Sequence, residues 1–363
     1  MSDPVRLGLY ARFIHSRFKH WGLSILGMSS AALAFTAAPA AEPAAPLNYF
    51  LHAAGPASAP TLHLGWVFTA ICVGVCLIIA ALLAVAILRP RPPVLPEGAR
   101  ALAATQGGMN WIYIGVGVST VVLIAMLVYA LITLERVAAP NDPPALTITV
   151  TAYDWWWKVA YDNAADPSQR FVTANEIHIP VGEPIRVKLG SADVIHAFWV
   201  PALAGKTQTI PGQANEQWIQ ADQPGVYRGQ CSQFCGAQHA HMAFEVIAQN
   251  RADFAAWSAQ QAKPHSPAST ASPSVAAGQK LFDERCAGCH SVRGSLAEGA
   301  QAPDLTHLDS RRLIAAGMLP NTAANQLEWI THAQQIKPES MMPSMILSRD
   351  EATDLSAFLA TLQ

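Results

Sequence analysis

Two unbroken apolar runs dominate the first part of the chain. Leu64–Leu88 and Trp111–Leu134 carry no charged side chain, and a bilayer span needs roughly 20 such residues. From Ala145 the pattern changes to short segments rich in Thr, Val, Ile and aromatics. "ALTITVTAYDWWWKVAY" (145–161), "EIHIPVGEPIRVKLGS" (176–191), "QWIQADQPGVYRGQC" (217–231) and "HMAFEVIAQN" (241–250) read as strands separated by Gly/Pro turns. The second of these reads as a hairpin-like unit turning at Gly182-Glu183-Pro184. Together they predict an antiparallel sandwich or barrel. "RADFAAWSAQQ" (251–261) has a helical pattern. "KPHSPASTASPSVA" (263–276) has no apolar period and reads as a linker. A helical period then returns and runs to Gln363, predicting a small all-α domain over 277–363.

Charge fixes the orientation of this layout. Hydrophobic residues make up 51% of the chain and charged ones 13%, which suits a membrane protein. The net charge of -2 gives no footing for nucleic acid. Between the two spans Arg89, Arg91 and Arg100 outnumber Glu97, which places that loop in the cytoplasm and everything after Glu135 outside it. Residues 1–41 run from Arg6, Arg12, Arg17 and Lys19 through the apolar Trp21–Ala38 to small residues. That order is the pattern of a secretory signal peptide, with an uncleaved anchor as its alternative. The expected fold is a multidomain membrane protein: hairpin 42–143, β-sandwich 144–262, linker 263–276 and helical domain 277–363.

The six cysteines fall in three close pairs. Cys72 and Cys76 lie inside the first span and read as small packing residues in a helix interface. "CSQFCGAQHAHM" (231–242) gathers two thiols, two imidazoles and a thioether. Zinc takes Cys and His but needs no Met. Blue copper takes two His, one Cys and a weak axial Met on a β-sandwich. A second thiolate supplies what a dinuclear copper centre needs, two bridging sulfurs between two ions. The remaining imidazole must come from an earlier strand, and His196 in "DVIHAFWVP" is the natural source. A short Cys231–Cys235 disulfide is the competing reading. His241 fits no ligand position and reads as a solvent or supporting residue, while His178, His307 and His332 read as ordinary polar or packing residues. "CAGCH" (286–290) is C-x-x-C-H, the attachment site of c-type haem. Met318, Met341, Met342 and Met345 compete to be the second axial ligand.

These motifs together resemble cytochrome c oxidase subunit II. The resemblance covers the hairpin and the β domain. It rests on Asp193-Val194-Ile195-His196, Val200-Pro201, Lys206, Ile210-Pro211-Gly212 and Cys231 through Met242. It implies a cupredoxin fold and a dinuclear copper A centre. Cys231 and Cys235 would bridge, His196 and His239 would be terminal ligands, Met242 axial on one copper, and the backbone carbonyl of Gln233 axial on the other. Most members have Glu where this chain has Gln233, with its carboxylate on a magnesium ion at the interface with subunit I. A backbone ligand survives that change; the magnesium contact does not follow. The family often has a glutamate near Met109-Asn110, absent here. In "DWWWK" (154–158) the strand period puts Trp155 and Trp157 on one face and Trp156 on the other. The family's first aromatic of this cluster accepts electrons, which carries to Trp155.

The last 87 positions, 277–363, resemble class I cytochromes c. That resemblance implies one covalent haem c on Cys286 and Cys289, with His290 and Met342 as axial ligands. Pro303 of "APDL" would orient the histidine, and Gly278 and Phe282 would pack on Leu355, Phe358 and Leu359. The whole then resembles subunit II of a caa-type oxidase in a bacterial cell membrane, with both outer domains on the periplasmic or extracellular side. It implies electron transfer from haem c through copper A to a haem-copper catalytic subunit I, other oxidase subunits as partners, and a soluble or membrane cytochrome as donor. The same role in a copper-A nitric oxide reductase is the alternative. Nitrous oxide reductase needs a large catalytic domain that this chain has no room for, and a quinol oxidase subunit would have lost the copper ligands.

Overall fold

The computed structural model describes residues 49–90, 107–162, 166–266 and 272–363. The predicted signal peptide, Arg91, Glu97 and Arg100 lie outside these residues. Both apolar runs form helices longer than their uncharged cores: α1 (Ala59–Leu88) and α2 (Gly107–Ala138). Each is long and apolar enough to cross a membrane. Their side chains are largely exposed in the isolated chain, as a lipid-facing surface would be. Cys72 and Cys76 lie on α1 and are exposed in the isolated chain. The hairpin is bolted to the outer domain at its ends. Ser58 Oγ donates to the Ala202 carbonyl at 2.7 Å, and the Trp218 indole donates to the Val137 carbonyl at 2.8 Å.

The β domain is a sandwich of two five-stranded sheets. One holds β3 (Phe171–Ala174), β2 (Trp156–Tyr161), β1 (Leu146–Tyr153), β5 (Ile185–Ser191) and β8 (Asn215–Ile219) in that order. The other holds β4 (Glu176–Pro180), β10 (Ala243–Gln249), β9 (Gly225–Cys231), β6 (His196–Trp199) and β7 (Lys206–Thr209). Alternation decides which side faces in: Ile148, Val150 and Ala152 of β1 and Ile185, Val187 and Leu189 of β5 are buried, as period-two strands require.

Two expectations change here. The sheets are mixed, because β1 pairs with β5 and β10 with β4 in parallel. The segment 176–191 is no hairpin: β4 and β5 belong to opposite sheets, and Gly182, at φ +77°, carries the chain across the sandwich. The reason lies in burial. Every residue of β4 is buried, so β4 needs cover on both faces, and it pairs with β10 instead of its sequence neighbour.

Helix α3 (Arg251–Gln261) starts at an Asn250 cap and packs Trp257 flat on His178, with ring centroids 3.8 Å apart. The last domain contains α4 (Pro273–Arg285), the two-residue strands β11 (Leu313–Ile314) and β12 (Leu319–Pro320), α5 (Ala323–Ile336) and α6 (Arg349–Leu359). Helix α4 begins at a Ser272 cap followed by Pro273, a favoured helix start, so it takes in four residues expected to be linker. Its Gly278 lies against α6 so closely that a Cβ would sit 1.9 Å from the Asp354 carbonyl oxygen. Leu281, Phe282, Leu355, Phe358 and Leu359 close that seam.

The other end of the expected linker is also engaged. His265 N donates to the Arg293 carbonyl at 2.7 Å, and Arg293 donates in turn to the Gln261 carbonyl at 2.7 Å. His307 bonds to the Lys263 carbonyl at 3.0 Å. The two outer domains touch directly. Arg312 N donates to Glu176 at 3.0 Å and its Nε to Glu245 at 3.1 Å. Gln238 donates to the Pro338 carbonyl at 3.0 Å, and Ala243 N to the Ala316 carbonyl at 3.1 Å.

Candidate copper and haem sites

The first site forms where β6 and the loop after β9 meet at one end of the sandwich. Strands β6 and β9 pair with Phe198 opposite Cys231, which brings His196 beside a thiol 35 positions away in sequence. Gly236 at φ +114° then turns the loop back toward β10, under the Trp155 ring. Cys231 Sγ lies 4.0 Å from His196 Nδ1 and 3.2 Å from the Gln233 carbonyl oxygen. Cys235 Sγ lies 3.5 Å from His239 Nδ1 and 4.0 Å from Met242 Sδ. The two sulfurs are 3.8 Å apart. A disulfide needs about 2.05 Å, so these are free thiols.

Donors held about 2.3 Å from one tetrahedral ion stand about 3.8 Å apart. The donors therefore fall into two sets, one around each sulfur, joined by the sulfur–sulfur edge. Soft thiolate, thioether and imidazole donors are those that copper prefers, so the residues fit the group. All six positions expected as ligands come together here, Gln233 through its carbonyl. His241 stays outside, bonded to Gln238 at 2.7 Å.

The electrostatics favour a thiolate at one of the two sulfurs, Cys231. The bond from Cys235 holds Cys231 well below the ordinary thiol range against the opposing effect of burial, and bonds to His196 and the Ala197 backbone add to it. Cys235, which gives that bond, is pushed upward. Burial lowers His196, but its bonds to Cys231 and Asp193 outweigh burial and leave it raised.

The Asp193 contact was not foreseen. Its Oδ1 sits 2.7 Å from His196 Nε2 and fixes the ring so that Nδ1 faces the sulfur, the usual arrangement behind a ligating imidazole. An Asp three residues before the candidate histidine was the available signal. Two indoles also reach the loop backbone. Trp155 Nε1 donates to the Cys235 carbonyl at 2.9 Å, and Trp157 Nε1 approaches the Met242 carbonyl at 3.4 Å. Trp156 points the other way and stacks on Tyr153 at 4.7 Å. The expected face division holds, although Trp155 itself lies in the turn before β2.

The second site is a cavity of about 260 Å³ in the last domain. Cys286, Cys289, His290 and Met342 all line it, with Met341 and Met345. Apolar walls come from Phe282, Trp329, Ile330 and Leu355, the lining a flat porphyrin face calls for. His290 Nδ1 lies 2.8 Å from the Pro303 carbonyl oxygen. That contact assigns the ring proton to Nδ1 and leaves Nε2 as a free base. Burial lowers the His290 pKa and keeps the imidazole neutral, the state that ligates iron. The residues fit a haem. The far wall belongs to the β domain: Asp154, Trp155, Trp156 and Asn175 line the same cavity.

Comparison with known proteins agrees with this geometry. Residues 165–249 match the family profile "Cytochrome C oxidase subunit II, periplasmic domain", and residues 275–363 match "Cytochrome c". Cytochrome c oxidase subunit 2 of Alkalihalophilus pseudofirmus is 35% identical over 252 residues, 67% of this chain and 70% of that protein. The subunit 2 of Bacillus sp. strain PS3 is 30% identical over 234 residues, 61% of this chain and 64% of that one. The periplasmic domain of subunit II of the Bradyrhizobium japonicum cytochrome oxidase is 34% identical, with a TM-score of 0.31; the match covers 34% of this chain and 96% of that structure. A chain with this hairpin, this copper-type loop and this haem-type cavity, so related over two thirds of its length, belongs to the cytochrome c oxidase subunit II family, in the form that carries a cytochrome c domain.

Proposed function

We propose that this chain is the electron-receiving subunit of a haem-copper terminal oxidase, passing electrons from haem c through dinuclear copper A to a catalytic subunit that reduces oxygen to water. The catalytic site belongs to that partner. Copper A and haem c, when bound, supply one-electron carriers. Cys231 and Cys235 would bridge two coppers, with His196, Met242, His239 and the Gln233 carbonyl completing the two donor sets. Cys286 and Cys289 would hold haem c through thioethers, and His290 and Met342 would take the iron's axial positions. The hairpin would hold both domains against subunit I on the periplasmic side of a bacterial cell membrane, after removal of a leader over 1–41.

One observation carries the reading. Trp155 is at once a wall of the haem-type cavity and a hydrogen-bond partner of the Cys235 backbone. The residue is 7% exposed, its indole bonded to the Cys235 carbonyl and its own carbonyl to Lys337. It bridges two sites that would otherwise be separate modules, which supports its role as the residue through which electrons reach copper A.

Metal analysis and electron spin resonance of the purified chain test the proposal. Two coppers per chain and a signal from one electron shared over both are expected. A single blue-copper signal would contradict the dinuclear assignment. Oxygen uptake by the purified complex is expected with reduced cytochrome as donor; nitric oxide consumption in its place would move the chain to a nitric oxide reductase.

A further inference from the structure

Lys337 follows α5 and belongs to the cytochrome domain, yet its ammonium sits in the β domain's territory. Nζ donates to the Trp155 carbonyl at 2.7 Å and lies 3.5 Å from the Ala315 carbonyl. The residue is 3% exposed. Its partners are backbone carbonyls, and among the described residues it forms no ion pair. A buried ammonium without a carboxylate is costly. Burial pushes its pKa down to about 7, while the nearby Cys235 sulfur pulls the other way. The β11–β12 loop beside it also reaches the β domain. Ala315, Ala316 and Gly317 are all left-handed, at φ +53°, +57° and +82°. The Ala316 carbonyl receives the Ala243 amide, next to Met242.

A charge kept at such cost beside a redox site has an electrostatic use. An electron reaching the neighbouring centre gains from a fixed positive charge, and the gain is larger where water is excluded. Lys337 borders the haem-type cavity and the Trp155 backbone, whose indole in turn holds the Cys235 carbonyl.

We infer that the docked cytochrome domain lends the charge of Lys337 to the copper site, so that docking itself raises the affinity of copper A for an electron. The inference rests on the copper A reading above. Lys337 is a positioning residue in this role; it touches no metal. The domain that delivers the electron would also bias the acceptor toward taking it. An undocked or absent cytochrome domain would leave copper A a weaker acceptor.

The test is potentiometry of copper A and haem c in the full chain at pH 6, where the ammonium is charged. Lys337→Gln keeps a donor for the Trp155 carbonyl and removes the charge; Lys337→Arg keeps the charge. A unit charge at such a site biases a one-electron equilibrium by about tenfold, which corresponds to 59 mV. The copper A potential is expected to fall by about that much in Lys337→Gln and to recover in Lys337→Arg, with the shared-electron signal unchanged in both. An unchanged copper potential with an intact signal overturns the inference. A shift confined to haem c also overturns it and assigns Lys337 to the haem. Should Lys337→Gln fail to hold copper, Lys337→Met is the second neutral form; failure of both, with normal haem absorption, makes the residue structural and ends the inference. Absence of a copper A signal from the unmodified chain defeats the functional reading instead.

Discussion

The copper-type loop and the haem-type cavity are built on opposite principles. In the first, the donors are placed by the protein's own pairing, turn and side-chain contacts: β6 and β9 pair, Gly236 turns the loop, and Asp193 holds His196. In the second, the ligands surround a hollow of about 260 Å³, and Phe282, Trp329 and Leu355 meet across it. One site is a finished socket. The other is a hollow beside its domain's packed seam, which the cofactor would fill.

The largest expected effect separates the two directly. A wide apolar hollow left unfilled in so small a domain is costly, and the whole stability of such a domain is only about 5–15 kcal/mol. Chain made without haem attachment, as in Cys286→Ser/Cys289→Ser, should therefore lose the cytochrome domain to limited proteolysis. Chain stripped of copper should keep a protected β domain with its thermal transition near the original. Equal protection of both domains without their cofactors would erase the distinction.

Within the socket, Cys235→Ser should abolish copper binding, whereas Gln233→Ala should retain two coppers, because only a main-chain oxygen is used there. Metal content of the two variants checks this. On the haem side, Met342→Leu should remove the sulfur-to-iron absorption band and lower the haem potential, and Met345→Leu should leave both in place; the opposite result reassigns the ligand.

The smallest effect concerns the joint between the domains. Burial alone would raise the Glu176 pKa, but the bond to His178 outweighs it, with the Arg312 amide adding, and the carboxyl ends below its ordinary value. A depressed carboxyl contributes stability that is present above the unfolded pKa and is lost as pH falls through the folded one. The loss should therefore appear only below about pH 4.5, the ordinary value of the carboxyl. Glu176→Gln should be less stable at pH 7 and show a flatter acid limb in thermal melts from pH 7 to 3.

What was legible in the sequence follows from range. Cys231, Cys235, His239 and Met242 share one loop, and Cys286, Cys289 and His290 one turn, so their chemistry is written locally. The two apolar runs announce α1 and α2 by length alone. The strand β4 looked like half of a hairpin because its neighbour β5 is also apolar and a turn lies between; its true partner β10 starts 67 positions later. Strands β3 and β7 are four residues each and too short to show alternation. The docking face was invisible for a different reason. Lys337, Arg312 and Glu245 are ordinary charged residues in sequence, and only the meeting of two domains gives them partners. The start of the segment 263–276 looked featureless because the bonds that tie it to His307 and Arg293 use backbone atoms of 263 and 265, which carry no compositional mark.

That stitching has a practical consequence for anyone who would exchange one cytochrome module for another. Arg293 grips the Gln261 carbonyl and reaches toward that of Ala262, and Gln261 bonds back to Ser310. A graft cut at Ser272, where the haem helix begins, would keep the host carbonyls of Gln261 to Lys263 and require the incoming module to bring its own counterparts of Arg293 and His307 to hold them. The transplantable unit starts at the end of α3, and a chimera spliced there should accept a foreign haem module more readily than one spliced at the conspicuous proline-rich stretch.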